Sequence, residues 1–196
     1  GLLWGSGSNL KLSLDRGDLW DLRTPDTLLR DDWNWATIRK LVAEKNQKRI
    51  SELFDVPYNA FKYPTKIPAG RLELGLDASQ PAESFLLDLE TAVARVKLPA
   101  GGVEVFYSAV EPVTMIRVAG PAPEWRIVPP DSLKQLGYAP PQTGRDGPMA
   151  WSVQRAALGL EYAVVAAERR RGDATEIALA ISATHDGPDP LELGKK

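Results

Sequence analysis

The chain has 196 residues, 24 basic against 26 acidic side chains, one histidine and no cysteine. Such a charge balance carries no basic footprint for a phosphate backbone, so nucleic acid is not an expected partner, and the single His185 leaves no multi-histidine zinc site or histidine triad to build. Without cysteine there is no disulfide scaffold, thiol nucleophile or zinc ribbon, and no apolar run reaches the ~20 residues a spanning helix needs.

Asn9 to Leu14 alternate apolar and polar, as a half-buried strand does, and Asp15 to Gly17 turn the chain into Leu19 and Trp20. From Asp32 to Phe54 the period changes to that of a helix. Trp35, Ile38, Leu41 and Val42 form a stripe expected to face a sheet, Asp31 or Asp32 serves as N-cap, and Ile50, Leu53 and Phe54 mark a second short helix. Val56 to Pro64 reads as an ordered loop.

Beyond Pro68 the period returns to two. Strands are expected over 72–76, 85–89, 92–98, 103–110 and 113–118, and again over 151–157, 160–169 and 175–184, the last two joined as a hairpin across Arg171, Gly172 and Asp173. Between them, residues 121–148 contain seven prolines and read as a long loop with one helical turn at 132–136. Strands at this spacing predict a mainly β fold, a two-sheet antiparallel β-sandwich over 1–187 with a helical, aromatic-rich insertion at 26–64. Residues 188–196 read as the start of a linker.

Gly5-Ser6-Gly7-Ser8 lacks the preceding strand and following helix of a phosphate cradle and reads as a turn. Carboxylates carry more weight, because glycoside hydrolysis runs on a pair of them without metal or histidine. Asp88 and Glu90 fall on one polar strand face. Asp18 and Asp21 flank Leu19 and Trp20, an arrangement that suits core packing or domain docking by Trp20, or contact with a sugar ring, and Asp18, Trp20 and Asp21 are candidate substrate or interface residues. Trp33, Trp35, Tyr58, Phe61 and Tyr63 gather within 31 residues, either to anchor the insertion or to stack on sugars. His185 reads as a turn residue with no recognisable partner for general-base work. No catalytic pair, metal site or cofactor motif emerges.

Pro68-Ala69-Gly70-Arg71-Leu72-Glu73-Leu74 resembles the N-terminal β-domain of glycoside hydrolase families 95 and 65. The likeness continues through Leu87-Asp88-Leu89-Glu90-Thr91-Ala92-Val93-Ala94, Gly102 to Val105, Phe106 to Ala109 and Val113 to Arg117. Upstream, Leu12 to Trp20 is similar to the families' N-E-D-T-L-W segment, with Arg16 and Gly17 departing from it; the 26–64 insertion is longer than their usual loop, and their initial G-N-G strand would lie before Gly1. The resemblance implies a supersandwich linked to an (α/α)6 catalytic barrel beyond Lys196. This chain would then be a non-catalytic domain whose partner is that missing barrel, in a periplasmic or secreted bacterial protein of fucosidase, galactosidase or phosphorylase type. An independent carbohydrate-binding module is the first alternative, and a mutarotase-like sugar isomerase the second.

Overall fold

The computed structural model describes residues 3–6, 9–77, 79 and 81–196. The chain is mainly β, 43% strand and 20% helix. Near the N-terminus, β1 (Leu3–Ser6) and β2 (Asn9–Leu14) form a hairpin, and β3 (Trp20–Asp21) precedes the insertion. The insertion holds α1 (Trp35–Ala43), α2 (Gln47–Ile50), a π-helical turn at Ser51–Asp55 and α3 (Val56–Asn59). The chain then runs through β4 (Thr65–Lys66), β5 (Gly70–Gly75), β6 (Ser84–Asp88), β7 (Val93–Leu98), β8 (Gly101–Tyr107), β9 (Val113–Ala119) and β10 (Glu124–Val128). After α4 (Ser132–Gln135) come β11 (Gln142–Asp146), β12 (Met149–Arg155), β13 (Glu161–Arg171), β14 (Ala174–Ala183) and finally α5 (Pro190–Gly194).

Two antiparallel sheets make the expected sandwich: an eight-stranded sheet in the order β11-β12-β13-β14-β9-β8-β7-β6 and a four-stranded one in the order β1-β2-β5-β10. The period-two pattern explains the contact between them. In the small sheet Leu10 pairs with Leu74 and Leu12 with Leu72. Their inward faces share one core with Val103, Ile116, Tyr162, Val164, Ile177 and Leu179 of the large sheet. Burying this many side chains, each contributing ~1.5–3 kcal/mol, is the main force behind the fold.

Several sequence expectations change here. The helix N-cap is Asn34, whose side chain accepts from the Thr37 N–H at 2.9 Å, and not Asp31 or Asp32. The stripe on α1 does not face the sandwich. Leu41 packs with Leu53 and Phe54 into a separate small core, joined by Trp33, Ile38 and Ile50, while Trp35 and Val42 are exposed. The reason is that α2 and the π turn fold back on α1 and satisfy its apolar face locally. Val56 to Asn59 are helical rather than loop.

The 121–148 segment is not a plain loop. Its seven prolines all stand outside two strands, so β10 joins the small sheet and β11 edges the large one. Residues 190–194 fold into α5 on the outer face of β13 and β14, where a Cβ on Gly194 would meet Val165 at 2.8 Å. That covering helix explains why Tyr162 to Ala166 are buried on both faces of the strand. Glu90 lies in the β6–β7 turn, where Asp88 accepts its N–H at 3.0 Å, so the two acids do not share a strand face. Gly5 and Ser6 close β1, and Gly7 and Ser8 of that motif lie outside the described residues.

Candidate functional site

The turn after β2 and the turn after β14 meet at Arg16. Its Nε and Nη2 donate to the two oxygens of Asp18 at 2.7 and 2.8 Å, and Nη2 also donates to Asp186 at 2.7 Å. Nη1 donates to Asp186 as well and to the Ile181 carbonyl at 3.0 Å. The guanidinium therefore ties residues 170 apart in sequence. His185 Nδ1 lies 3.3 Å from Asp18 Oδ2, so the lone histidine has the carboxylate neighbour that no sequence signal announced. Both side chains are about half exposed. Hydrogen bonding to Arg16 holds the Asp18 and Asp186 carboxyls below the usual range, and the same bonds raise the arginine.

Three residues further on, Asp21 is enclosed where Asp18 is open. Its side chain is fully buried, on a two-stranded ribbon where β3 pairs with β4. Arg23 Nη2 and the Tyr138 hydroxyl donate to its Oδ2 at 2.5 and 2.6 Å, and the Arg23 Nε and backbone N–H donate to Oδ1 at 2.9 and 3.2 Å. Arg23 is itself clasped, with its guanidinium 4.1 Å from the Tyr63 ring centroid and 5.1 Å from that of Tyr138, and donating to the Leu136 carbonyl at 2.9 Å. Burial pushes the Asp21 carboxyl up, but the hydrogen bonds from Arg23 and Tyr138 outweigh it and leave the group below its ordinary value. A general acid for glycoside cleavage needs the reverse shift. Asp21 is a fastening between β3, the insertion and the α4 loop, not a surface acid.

Trp20, between the two carboxylates, is 43% exposed, and its indole N–H donates to the Gly17 carbonyl at 2.9 Å. The five insertion aromatics divide. Trp33 stacks on Phe54 with ring centroids 5.9 Å apart, and Tyr63 lies under Arg23, so both serve the interior. Trp35 is 70% exposed, and Tyr58 and Phe61 also reach the surface. They do not make one flat platform: Trp35 starts α1, while Phe61 is tilted against Tyr63 at 6.3 Å. Among the described residues no group of three or more potential metal ligands is present.

A groove of about 470 Å³ opens beside Arg16, which lines it with Asp15, between the β2 side of the small sheet and the far end of the large one. Phe85, Leu87 and Tyr107 lie on the same sheet face as the core residues Val96 and Val105, yet all three are exposed because the small sheet stops short of them. The sequence pattern missed this groove, since alternation reports which face is apolar but not how far the opposing sheet extends. Among the described residues no helix is long and apolar enough to cross a membrane. No family model matches the chain, and no curated protein matches it.

Proposed function

We propose that this chain is a non-catalytic N-terminal domain of a glycoside hydrolase, which packs against an (α/α)6 catalytic barrel and lends its Asp18 to Trp20 turn to the pocket rim. The observation that carries this reading is the apolar surface concentrated on one stretch of chain: Trp20, Leu22, Leu29, Trp35, Val56 and Tyr58 are all exposed within residues 20–58. Exposed large side chains in such number on one segment are what a surface meant for a partner would carry, and they support this reading. The stretch is also firmly mounted, because the Asp21–Arg23–Tyr138 network fixes its base to the sandwich. A barrel docked there would cover area that a free monomer leaves wet.

The test is the coding sequence beyond Lys196 and the protein made from it. Several hundred residues of paired helices there, and faster proteolysis of the domain junction in Trp20→Ala and Trp35→Ala, support the reading. A stop codon directly after Lys196 removes its premise. A carbohydrate-binding module is the second reading, favoured by the exposure of Trp35, Tyr58 and Phe61. Millimolar or tighter binding of this chain to a sugar, abolished by Trp35→Ala, would favour it over docking.

A further inference from the structure

The large sheet ends in two edge strands of opposite character. β11 reads Gln-Thr-Gly-Arg-Asp, polar throughout and exposed at its charges. Its Gly144 is covered by Trp151 of β12, for a Cβ there would come within 2.3 Å of the indole. Polar and charged side chains are the usual means of keeping an edge from pairing with another chain. β6 at the other end reads Ser-Phe-Leu-Leu-Asp and, among the described residues, pairs only with β7. It carries no lysine, proline or glycine, and Leu86 on its outer face is 60% exposed. Both faces of this edge are apolar, with Phe85 and Leu87 on the groove side.

We propose that β6 is a self-association edge, pairing antiparallel with β6 of a second copy of this chain about a two-fold axis at Leu86. The strand is its own complement in that register. Leu86 faces Leu86, Phe85 faces Leu87, and Ser84 faces Asp88 of the second copy, where the hydroxyl can donate to the carboxylate. Side-chain parity allows only even shifts from it, because an odd one would set groove-side residues against outer-face ones. A shift of two residues either way sets Leu86 against Asp88 or against Ser84, and leaves a single apolar pair within the strand, Leu87 on Leu87 or Phe85 on Phe85, in place of three.

Charge favours the contact too. Asp88 already has Arg95 at 3.4 Å and Glu83 has Lys97 at 2.8 Å, so the acidic ends of the strand are neutralised within each chain and do not repel. The exposed parts of Phe85, Leu86, Leu87 and Leu89 amount to roughly 400 Å² per copy. Two such faces come to about 800 Å² in all, below the size of stable specific interfaces, so the association is weak and reversible. Pairing joins the two apolar grooves into one trough on the same side of a sixteen-stranded sheet.

Sedimentation of the chain from about 10 μM to 1 mM reads the equilibrium. The expected result is a monomer–dimer transition that Leu86→Lys weakens about tenfold or more, since two lysines would then face each other, while circular dichroism is unchanged. The chain contains no cysteine, so Leu86→Cys gives a second readout: on oxidation it should link two copies far faster than Leu158→Cys, placed at a still more exposed site. A chain that stays monomeric at 1 mM, a Leu86→Lys variant that dimerises like the parent, or equal crosslinking at the two cysteine positions would each overturn the proposal.

Discussion

Asp18 and Asp21 stand three residues apart, the first in the turn after β2 and the second on β3, and they differ in burial and in what surrounds the arginine that holds each. Asp18 is open to solvent and shares Arg16 with Asp186, so its ion pair is screened by water and stands beside His185 at the surface. Asp21 is sealed from solvent and accepts from Arg23 and Tyr138. In the second case the surrounding dielectric is low, and the charge is tolerated only because its partners are all in place. Arg16 and Arg23 each hold an aspartate two residues away in the chain, but only Arg23 is roofed by aromatic rings. The lesson is that acid spacing in the sequence names neighbours and not roles; the burial of each oxygen assigns the role.

Arg23→Ala should separate the two sites most strongly. It leaves Asp21 buried without its cation, and unfolding free energy measured in urea should drop by ~3–5 kcal/mol. Arg16→Ala, which strands only half-exposed acids, should cost far less. Next in size is Leu53→Ala, expected at ~2–3 kcal/mol. Because Leu53 belongs to the insertion's own small core, hydrogen exchange should speed up in 35–59 while the sandwich strands keep their protection. Loss of protection across both sheets would mean that insertion and sandwich fold as one unit.

The pH response sharpens the comparison further. Asp21 has its carboxyl lowered in the folded state, so its contribution is fully present above the unfolded value of about 3.9 and is lost as pH falls through the folded value. Asp18 and Asp186 are lowered too, as are Asp32, Glu73, Asp77, Asp88 and Glu176, so the wild-type acid limb sums them all. Asp21→Asn should therefore flatten part of that limb below about pH 4, while stability changes little with pH between 5 and 8. Smallest of all, Trp20→Ala should change the stability of this chain by no more than ~1 kcal/mol, since the ring is largely outside the core. A loss of ~3–5 kcal/mol would give Trp20 a core role instead.

Much of the sandwich was legible because period two survives in the sequence of β2, β5, β7, β8, β13 and β14; burial follows it in β2, runs continuously in β13 under α5, and in β5 takes in Glu73 between Leu72 and Leu74. The insertion was legible as helix but not in its packing, because a stripe such as Ile38 and Leu41 looks the same whether it meets a sheet or a neighbouring helix. β10 and β11 were hidden by the prolines that flank them. At the candidate site, Trp20's exposure agreed with a surface role, whereas Asp21's burial depended on Tyr138, 117 residues away. The Arg16–Asp186 link spans still more chain. No local pattern encodes such pairings. The apolar edge at Phe85 to Leu87 did carry a signal, an apolar residue on both faces of one strand, which only sheet order turns into an edge.

The central claim is that the inner carboxylate holds the fold while the outer one belongs to the surface. Urea unfolding of Asp21→Asn and Asp18→Asn beside the parent chain at pH 7 tests it directly. Loss of the buried charge and its hydrogen bonds should lower the Asp21 variant by ~2–3 kcal/mol, and the Asp18 variant should stay within ~1 kcal/mol of the parent. Equal losses, or a larger one at Asp18, would contradict it.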